Sequence, residues 1–113
     1  MCLWAFACWG EAMTWLLAIL LSLSTVADVH TSNTCQSRGC VETDPVFGRH
    51  PSPGRLWAES AAITGAEIYG LHATRKKRVL KWAVRLLVMY EVEEHTRWAY
   101  LNTHVCEKGC GPR

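Results

Sequence analysis

Six acidic and histidine side chains are the residues of this chain whose types and spacing could do chemistry. They are Asp28, His30, Glu59, Glu91, Glu94 and His95. Glu91 and His95 are four residues apart, a spacing that brings both side chains to one face of a helix. Carboxylates and imidazoles held together in a low-dielectric setting could bind a divalent metal ion or relay protons.

The acidic run from Glu91 to Glu94 also has an ordinary interpretation, which we favour. It is a solvated helix end in which Glu91 and His95 form a weak pair. The chain lacks the repeated Glu-x-x-His pairs of di-iron bundles, and serine-nucleophile, P-loop and dinucleotide-binding fingerprints are absent from it as well. The sequence therefore predicts no catalytic residue, no cofactor and no metal ligand, and hence a protein that is not an enzyme.

Four of the six cysteines lie in polar, glycine-rich surroundings where loops are expected: Cys35, Cys40, Cys106 and Cys110. Paired cysteines in loops favour disulfide bonds in an oxidising compartment, and reduced thiols are the alternative. Neither pair has the CxxC spacing of zinc or thioredoxin-like sites. These four residues are therefore disulfide candidates.

The composition indicates a single small domain, residues 1–113, with less charge than a typical soluble protein. Half of the 113 residues are hydrophobic and 19% are charged, against about 25% charged in soluble domains. The net charge is +2, and the basic residues are concentrated near residues 75–85. Because this is not the broad basic surface of a nucleic-acid-binding domain, we predict no nucleic-acid partner.

The first 27 residues contain a single charge, Glu11, and predict a membrane helix over residues 1–30. The uncharged run 12–27 would span roughly 24 Å as a helix, and a short extension at either end reaches the length of about 20 residues that a bilayer requires. The alternative is a cleaved signal peptide, because Thr25-Val26-Ala27 resembles a cleavage site. Against cleavage, no Lys or Arg precedes Arg38. Met13 is an alternative start.

The rest of the chain predicts a loop over residues 31–52, helices over 53–73 and 77–104, and a tail over 105–113. Ser52 suits the N-cap and Pro53 the first position of the second helix. The predicted fold is all-α, a bundle of about three helices in which the second and third form an antiparallel hairpin. Small residues recur every fourth position of the second helix, at Ala58, Ala62, Ala66 and Gly70. This spacing predicts close helix packing, against the first helix, a protein partner or a second copy.

The basic run Arg75–Arg78 predicts the orientation in a membrane, because basic loops favour the cytoplasmic side. With three spans, the N-terminus is then cytoplasmic, and the loop and the C-terminus are outside. In this arrangement Glu67 lies level with Arg85, so the two charges are expected to pair. A soluble or interfacial helical hairpin is the alternative.

The run Glu42-Thr43-Asp44-Pro45-Val46-Phe47-Gly48-Arg49-His50-Pro51-Ser52 resembles a loop motif of short bacterial and bacteriophage integral membrane proteins. Their pattern is Glu-x-Asn-Pro, two apolar residues, Gly, a spacer and Pro-Ser, followed by a helix. Asp28 with Thr31, and Glu91 or Glu94 with His95, match further features of that family. One departure is Asp44, which stands where the pattern has Asn. The resemblance implies a small integral membrane protein, and it does not indicate which activity the protein has. We expect its location to be the bacterial inner membrane.

Together these features predict a small integral membrane protein that has the lipid bilayer as a partner and acts through helix–helix or protein contacts. One alternative is a secreted, soluble, disulfide-stabilised helical protein released by cleavage near Ala27. Another is a membrane-bound metal or proton site that uses Asp28, Glu59, Glu91 and His95.

Overall fold

The computed structural model describes residues 2–37 and 52–107, and within them the side chains of residues 9–37 and 52–104. In that part of the chain it contains three helices and no strand: α1 (Cys2–Ser37), α2 (Pro53–Thr74) and α3 (Leu80–Glu107). The predicted all-α fold of three helices is therefore confirmed. The loop motif from Glu42 to Pro51 lies outside the described residues.

The start of α2 follows the local signals in the sequence. The Ser52 side chain accepts a hydrogen bond from the backbone N–H of Arg55, at 3.2 Å, and Pro53 occupies the first turn. A proline costs nothing there, because the first N–H groups of a helix have no partner within the helix. At the other end, the Arg75 guanidinium donates to the carbonyl of His72 at 2.6 Å, which satisfies one of the last carbonyls of α2.

The helix α1 is longer than predicted, and α3 is shifted along the sequence. The predicted loop began at residue 31, but α1 continues to Ser37, and α3 begins at Leu80 instead of residue 77 and ends at Glu107 instead of residue 104. The extra turns of α1 contain hydroxyl side chains that bond back to its own carbonyls: Thr34 Oγ1 donates to His30 O at 3.0 Å, and Ser37 Oγ donates to Thr34 O at 2.6 Å. These residues favour turns in isolation, but here they remain helical, because Ser32 and Cys35 are buried against the rest of the bundle.

The helices run up, down and up. Thr64 of α2 donates to Thr25 of α1 at 3.2 Å, whereas the end of α2 meets the start of α1 at Arg75 and Glu11, so the two helices are antiparallel. The start of α3 meets the start of α1, and its later turns meet the later turns of α1, so these two helices are parallel. The bundle is elongated, 56 × 23 × 19 Å, and the basic turn lies at the same end as the start of α1.

The apolar core is small and lies around α1. It comprises Leu17, Ala18 and Leu21 of α1 with Leu71 of α2 and Val88 of α3. Leu21 and Val88 have no exposed surface. Three of the five core residues therefore belong to α1, which contacts both other helices, and α2 and α3 also contact each other directly.

The small-residue stripe of α2 does not form the packing surface within the chain, so that expectation was wrong. Ala58, Ala62 and Ala66 are exposed, and only Gly70 is half-buried, beside Val84 of α3. The buried residues of α2 are Leu56, Ser60 and Leu71. The inward face carries the larger side chains of Leu56 and Leu71, which make more van der Waals contacts between the helices than Ala can. A role of the stripe in self-association or partner binding stays a prediction.

The outer surface carries many large apolar side chains. On α1 they are Trp9, Trp15, Leu16, Ile19, Leu20, Leu23 and Val26. On α2 they are Trp57, Ile63 and Tyr69, and on α3 they are Val79, Leu80, Trp82, Leu86, Leu87, Met89, Tyr90, Tyr100 and Leu101. The interior, by contrast, buries the polar residues Ser24, Thr25, Ser32, Ser60, Arg85 and Asn102.

Of the disulfide candidates, Cys35 lies in α1 rather than in a loop and is buried. Cys40 and Cys110 lie outside the described residues, and Cys106 lies in α3 without a described side chain. The pairing of the four cysteines therefore stays a prediction.

Candidate functional site

An ion pair between α1 and α3 is the centre of the most polar region of the interior. His95 Nδ1 lies 2.8 Å from Asp28 Oδ2, and both side chains are largely buried. The hydrogen bond to the Asp28 carboxylate raises the pKa of His95 above its ordinary value, although burial acts in the opposite direction. The negative charges of Asp28, Glu91 and Glu67 add to the increase.

Glu91 faces the other nitrogen of the same ring. Its Oε2 lies 3.8 Å from His95 Nε2, which is within ion-pair range but too long for a hydrogen bond. The predicted placement of Glu91 and His95 on one helix face is thus confirmed. Because Asp28 and Glu91 approach opposite nitrogens, the imidazole ring lies between the two carboxylates, and this geometry stabilises a protonated ring.

Asn102 connects the end of α3 to α1, two helical turns beyond His95. Its side chain is buried, and its amide nitrogen donates to Ser32 Oγ at 3.0 Å and to Thr31 Oγ1 at 3.2 Å. The same nitrogen is 3.5 Å from Asp28 Oδ1, and Ser32 Oγ is 3.4 Å from that oxygen. The carboxylate is therefore held by groups from both helices, which fixes its orientation toward His95.

Glu67 brings α2 into the cluster. Its Oε2 is buried without a hydrogen-bond partner among the described residues, and its charge interacts with those of Glu91 and His95. The predicted pairing of Glu67 with Arg85 was wrong. Arg85 turns toward α1 instead, where its guanidinium donates to the carbonyl of Gly10 at 2.8 Å and stacks 5.0 Å from the Trp82 ring.

Three of the six predicted site residues meet in this cluster, namely Asp28, Glu91 and His95. His30 is exposed on α1. Glu59 is bound by Arg55 of its own helix at 2.7 Å, and Glu94 lies 3.5 Å from Arg97. Neither glutamate is drawn toward the centre of the cluster, because each has a basic partner one turn away on the same helix.

Sequence reasoning missed Asn102, Thr31, Ser32 and Glu67 as members of the site. A signal existed for Asn102, which follows His95 by seven residues and therefore shares its helix face. No signal identified Glu67, because its position depends on the register between α2 and α3. Among the described residues, no group of three or more His, Cys, Asp or Glu side chains is arranged to hold a metal ion.

Comparison with known proteins identifies no relative of this chain. No protein-family model, curated protein or solved structure matches the chain.

Proposed function

We propose that this chain is a small integral membrane protein whose three helices are embedded together and which acts through helix–helix or protein contacts, without catalysing a reaction. The observation that carries the proposal is the distribution of polarity. Large apolar side chains cover the outside of the helices, while the inside combines a small apolar core with buried serine, threonine, arginine and asparagine side chains. Soluble monomers rarely expose so much contiguous apolar surface, whereas lipid is a suitable solvent for it.

The dimensions of the apolar surface support a bilayer. Within the described residues, Trp9–Ser37 is the one helix long and apolar enough to cross a membrane. Its apolar part, residues 9–27, is about 28 Å long at 1.5 Å per residue, close to the hydrocarbon thickness of about 30 Å. Exposed aromatic residues lie near one boundary, at Trp9 and Trp82, and Trp57 lies toward the other. Aromatic rings favour these interfacial depths.

The polar contacts inside the bundle also fit a lipid environment. Polar side chains inside a membrane bundle bond to each other or to the backbone, because no water is there to satisfy them. The bond between Thr64 and Thr25 and the bond from Arg85 to the Gly10 carbonyl are contacts of this kind. A buried arginine that binds a carbonyl and an aromatic ring is also better tolerated than one that faces lipid.

The polar end of the bundle extends beyond the proposed spans. From Asp28 onward α1 is mostly polar, and from Glu93 onward α3 exposes charges. We take residues 9–27 of α1, 58–74 of α2 and 79–92 of α3 as the embedded segments. The Asp28–His95 pair and Asn102 then lie just outside, and the exposed charges of Glu93 and Arg97 lie at headgroup level.

The composition of the core supports retention of α1. Cleavage after Ala27 would remove Leu17, Ala18 and Leu21, three of the five core residues, and leave Leu71 and Val88 with the partly buried Ile68, Val84 and Val92. The secreted alternative would therefore lose most of the apolar core. We propose accordingly that the N-terminus and the basic turn 75–78 are cytoplasmic and that the C-terminus is outside. Such a protein would occupy a bacterial inner membrane.

A test of the proposal compares the tagged chain with the double variant Ile19→Arg, Leu23→Arg. Both positions are exposed on α1. In lipid each arginine costs roughly 2.5–3.5 kcal/mol of insertion free energy, whereas in water each would be tolerated. We expect the wild type to stay in the membrane pellet after alkaline carbonate extraction and the variant to be released or degraded.

The matched control is Thr34→Arg, Ser37→Arg, which places the same two charges on the polar end of α1. This variant should remain in the pellet. Recovery of the wild type in the supernatant without detergent would overturn the proposal. A mature chain that begins at Asp28 would establish the secreted alternative instead.

A second candidate function is a proton-binding site at the polar end of the bundle. The observation that favours it is the His95 imidazole between the carboxylates of Asp28 and Glu91, with Glu67 of α2 close enough for its charge to act on the ring. Histidine is the side chain that changes charge near neutral pH. An NMR titration of labelled histidine in the wild type and in Glu91→Gln tests it, and an unchanged His95 titration in the variant would reject the role of Glu91.

A further inference from the structure

A groove between α1 and α2 lies at the end of the bundle that carries the basic turn. It has a volume of about 380 Å³ and is lined by Glu11, Thr14, Trp15, Ala18, Ile68, Tyr69, His72 and Arg75. This volume falls within the range of about 300–1,000 Å³ that small-molecule sites occupy. The polar cluster described above lies farther along the bundle, so the groove is a separate feature.

The groove changes polarity along its length. Glu11, His72 and Arg75 lie at one end, because the start of α1 meets the end of α2 there. Ala18 of α1 and Ile68 of α2 lie farther along the two helices, at the other end. Trp15 and Tyr69 flank the opening and are both highly exposed. A ligand that fits this gradient has a charged head and an apolar tail aligned with the bundle axis.

The end of the bundle that carries the groove is positive overall because of the basic turn, although the groove itself is lined by both Arg75 and Glu11. Arg75 is held at the mouth of the groove by its hydrogen bond to the His72 carbonyl, while its Nε lies 3.9 Å from Glu11 Oε1, within ion-pair range but too far for a hydrogen bond. Lys76, Lys77 and Arg78 follow directly and are exposed. Glu11 is also mostly exposed and can turn toward water. The head group that complements this end is therefore an anion, and a guanidinium suits a phosphate in particular.

We propose that the groove binds one anionic phospholipid of the leaflet that contains the basic turn. Its phosphate contacts Arg75, and an acyl chain lies between Trp15 and Tyr69 along Ala18 and Ile68. The inference rests on the proposed membrane function, because it requires the groove to open into lipid. Basic pockets between membrane helices are known to hold anionic lipid heads. A soluble phosphate would leave the apolar part of the groove empty, so a lipid is the better match.

The test measures lipid binding to the purified full chain in detergent by native mass spectrometry, with phosphatidylglycerol and phosphatidylcholine as probes. Arg75→Gln removes a charge inside the groove, and Lys77→Gln removes an equal charge in the same turn outside it. We expect Arg75→Gln to weaken phosphatidylglycerol binding about fivefold or more and Lys77→Gln to weaken it by less than half as much. Equal losses in the two variants would show general attraction to the basic turn and would overturn the site.

A second pair of variants tests the apolar wall. Trp15→Ala removes a lining side chain, whereas Leu16→Ala truncates a neighbouring exposed residue that does not line the groove. We expect a loss of lipid affinity for Trp15→Ala alone. Displacement of phosphatidylglycerol by inorganic phosphate would show that the acyl chain contributes nothing and would overturn the proposal. A dimer that disappears in Trp15→Ala would do the same, because a second copy would then occupy the groove.

The two proposals fail in distinguishable ways. If carbonate extraction releases the wild type, the membrane function is wrong, and the lipid site is wrong with it. If the wild type stays in the membrane but binds phosphatidylglycerol and phosphatidylcholine equally, only the lipid site is wrong.

Discussion

At the scale of single residues, Asn102 shows how one buried amide can set the position of a charged pair. It bonds to Thr31 and Ser32 on α1 and approaches the Asp28 carboxylate. Its own oxygen has no hydrogen-bond partner among the described residues. The contribution of Asn102 is therefore made by its side-chain nitrogen. Its removal takes one donor from the Thr31 and Ser32 hydroxyls, whereas the Asp28 carboxylate keeps its contacts with His95 and Ser32.

We expect Asn102→Ala to destabilise the bundle by about 1–3 kcal/mol, the usual effect of removing one partner from buried polar groups. The measurement is thermal unfolding in detergent, followed by circular dichroism. The control is Thr103→Ala, the adjacent exposed residue, which should change the free energy of unfolding by about 0.5 kcal/mol or less. Equal effects of the two substitutions would contradict the role assigned to Asn102.

The His95–Asp28 pair makes stability depend on pH. Because the folded chain raises the pKa of His95, the folded state binds the proton more tightly than the unfolded state does. The resulting stabilisation is fully present below the unfolded pKa of about 6.5 and is lost as the pH rises through the higher folded value.

We therefore expect the stability difference between the wild type and His95→Gln to shrink as the pH is raised from about 6 to about 9. Unfolding in detergent at a series of pH values measures it. His104→Gln replaces an exposed histidine near the end of the same helix and serves as the control. A stability difference that grows toward high pH would contradict a raised pKa of His95 in the folded state.

At the scale of elements, the face that each helix buries follows from side-chain size more than from small-residue spacing. On α2 the buried face contains Leu56, Ser60 and Leu71, whereas Ala58, Ala62 and Ala66 remain outside. These three alanines therefore form a second surface of α2 that is exposed and is not packed against α1 or α3.

We expect Ser60→Leu to destabilise the bundle by about 1–3 kcal/mol, because the larger side chain overpacks a buried position. Ala62→Leu, two residues later on the exposed stripe, should leave the stability of the monomer nearly unchanged. Thermal unfolding compares them, and size-exclusion chromatography of Ala62→Leu reports any self-association through the stripe. A larger loss of stability in Ala62→Leu than in Ser60→Leu would indicate that the stripe is the internal packing surface.

Sequence patterns identified the elements whose signals are local. Ser52 and Pro53 mark the start of α2 because a cap and a proline act within one turn. Glu91 and His95 mark a face of α3 because four residues make just over one turn. The end of α1 and the placement of Glu67 and Arg85 depend on contacts between helices. The hydroxyl-rich residues 31–37 predict a turn when considered alone, and only the packing of Ser32 and Cys35 keeps them helical.

At the scale of the whole molecule, the long axis of the bundle separates charges. The end that contains the start of α1 holds the basic turn 75–78 and Lys81, with Glu11 as the acidic residue beside them. Toward the other end lie the acidic residues of the polar cluster. At 56 Å the bundle is longer than a hydrocarbon core of about 30 Å, so its polar end projects beyond the membrane in the proposed arrangement.

The basic turn is therefore expected to decide which way the protein inserts. The change that tests this is replacement of all four residues Arg75–Arg78 by Gln. In the proposed orientation, the segments on the opposite side contain Arg38, Arg49, Lys108 and Arg113 in their sequence, and these would then be the larger group of basic residues. Because positively charged loops resist translocation, we expect the variant to invert and bring its C-terminus to the cytoplasm.

The measurement uses two C-terminal fusions expressed in bacteria, alkaline phosphatase, which is active only outside, and green fluorescent protein, which fluoresces only inside. The wild type should give phosphatase activity, and the quadruple variant should give fluorescence. The control replaces Arg38 and Arg49 by Gln, which strengthens the original bias and should keep the phosphatase active. A wild type whose C-terminus fluoresces would reverse the proposed orientation. A variant that keeps phosphatase activity would show that the apolar surface of α1, rather than the basic turn, sets the direction of insertion.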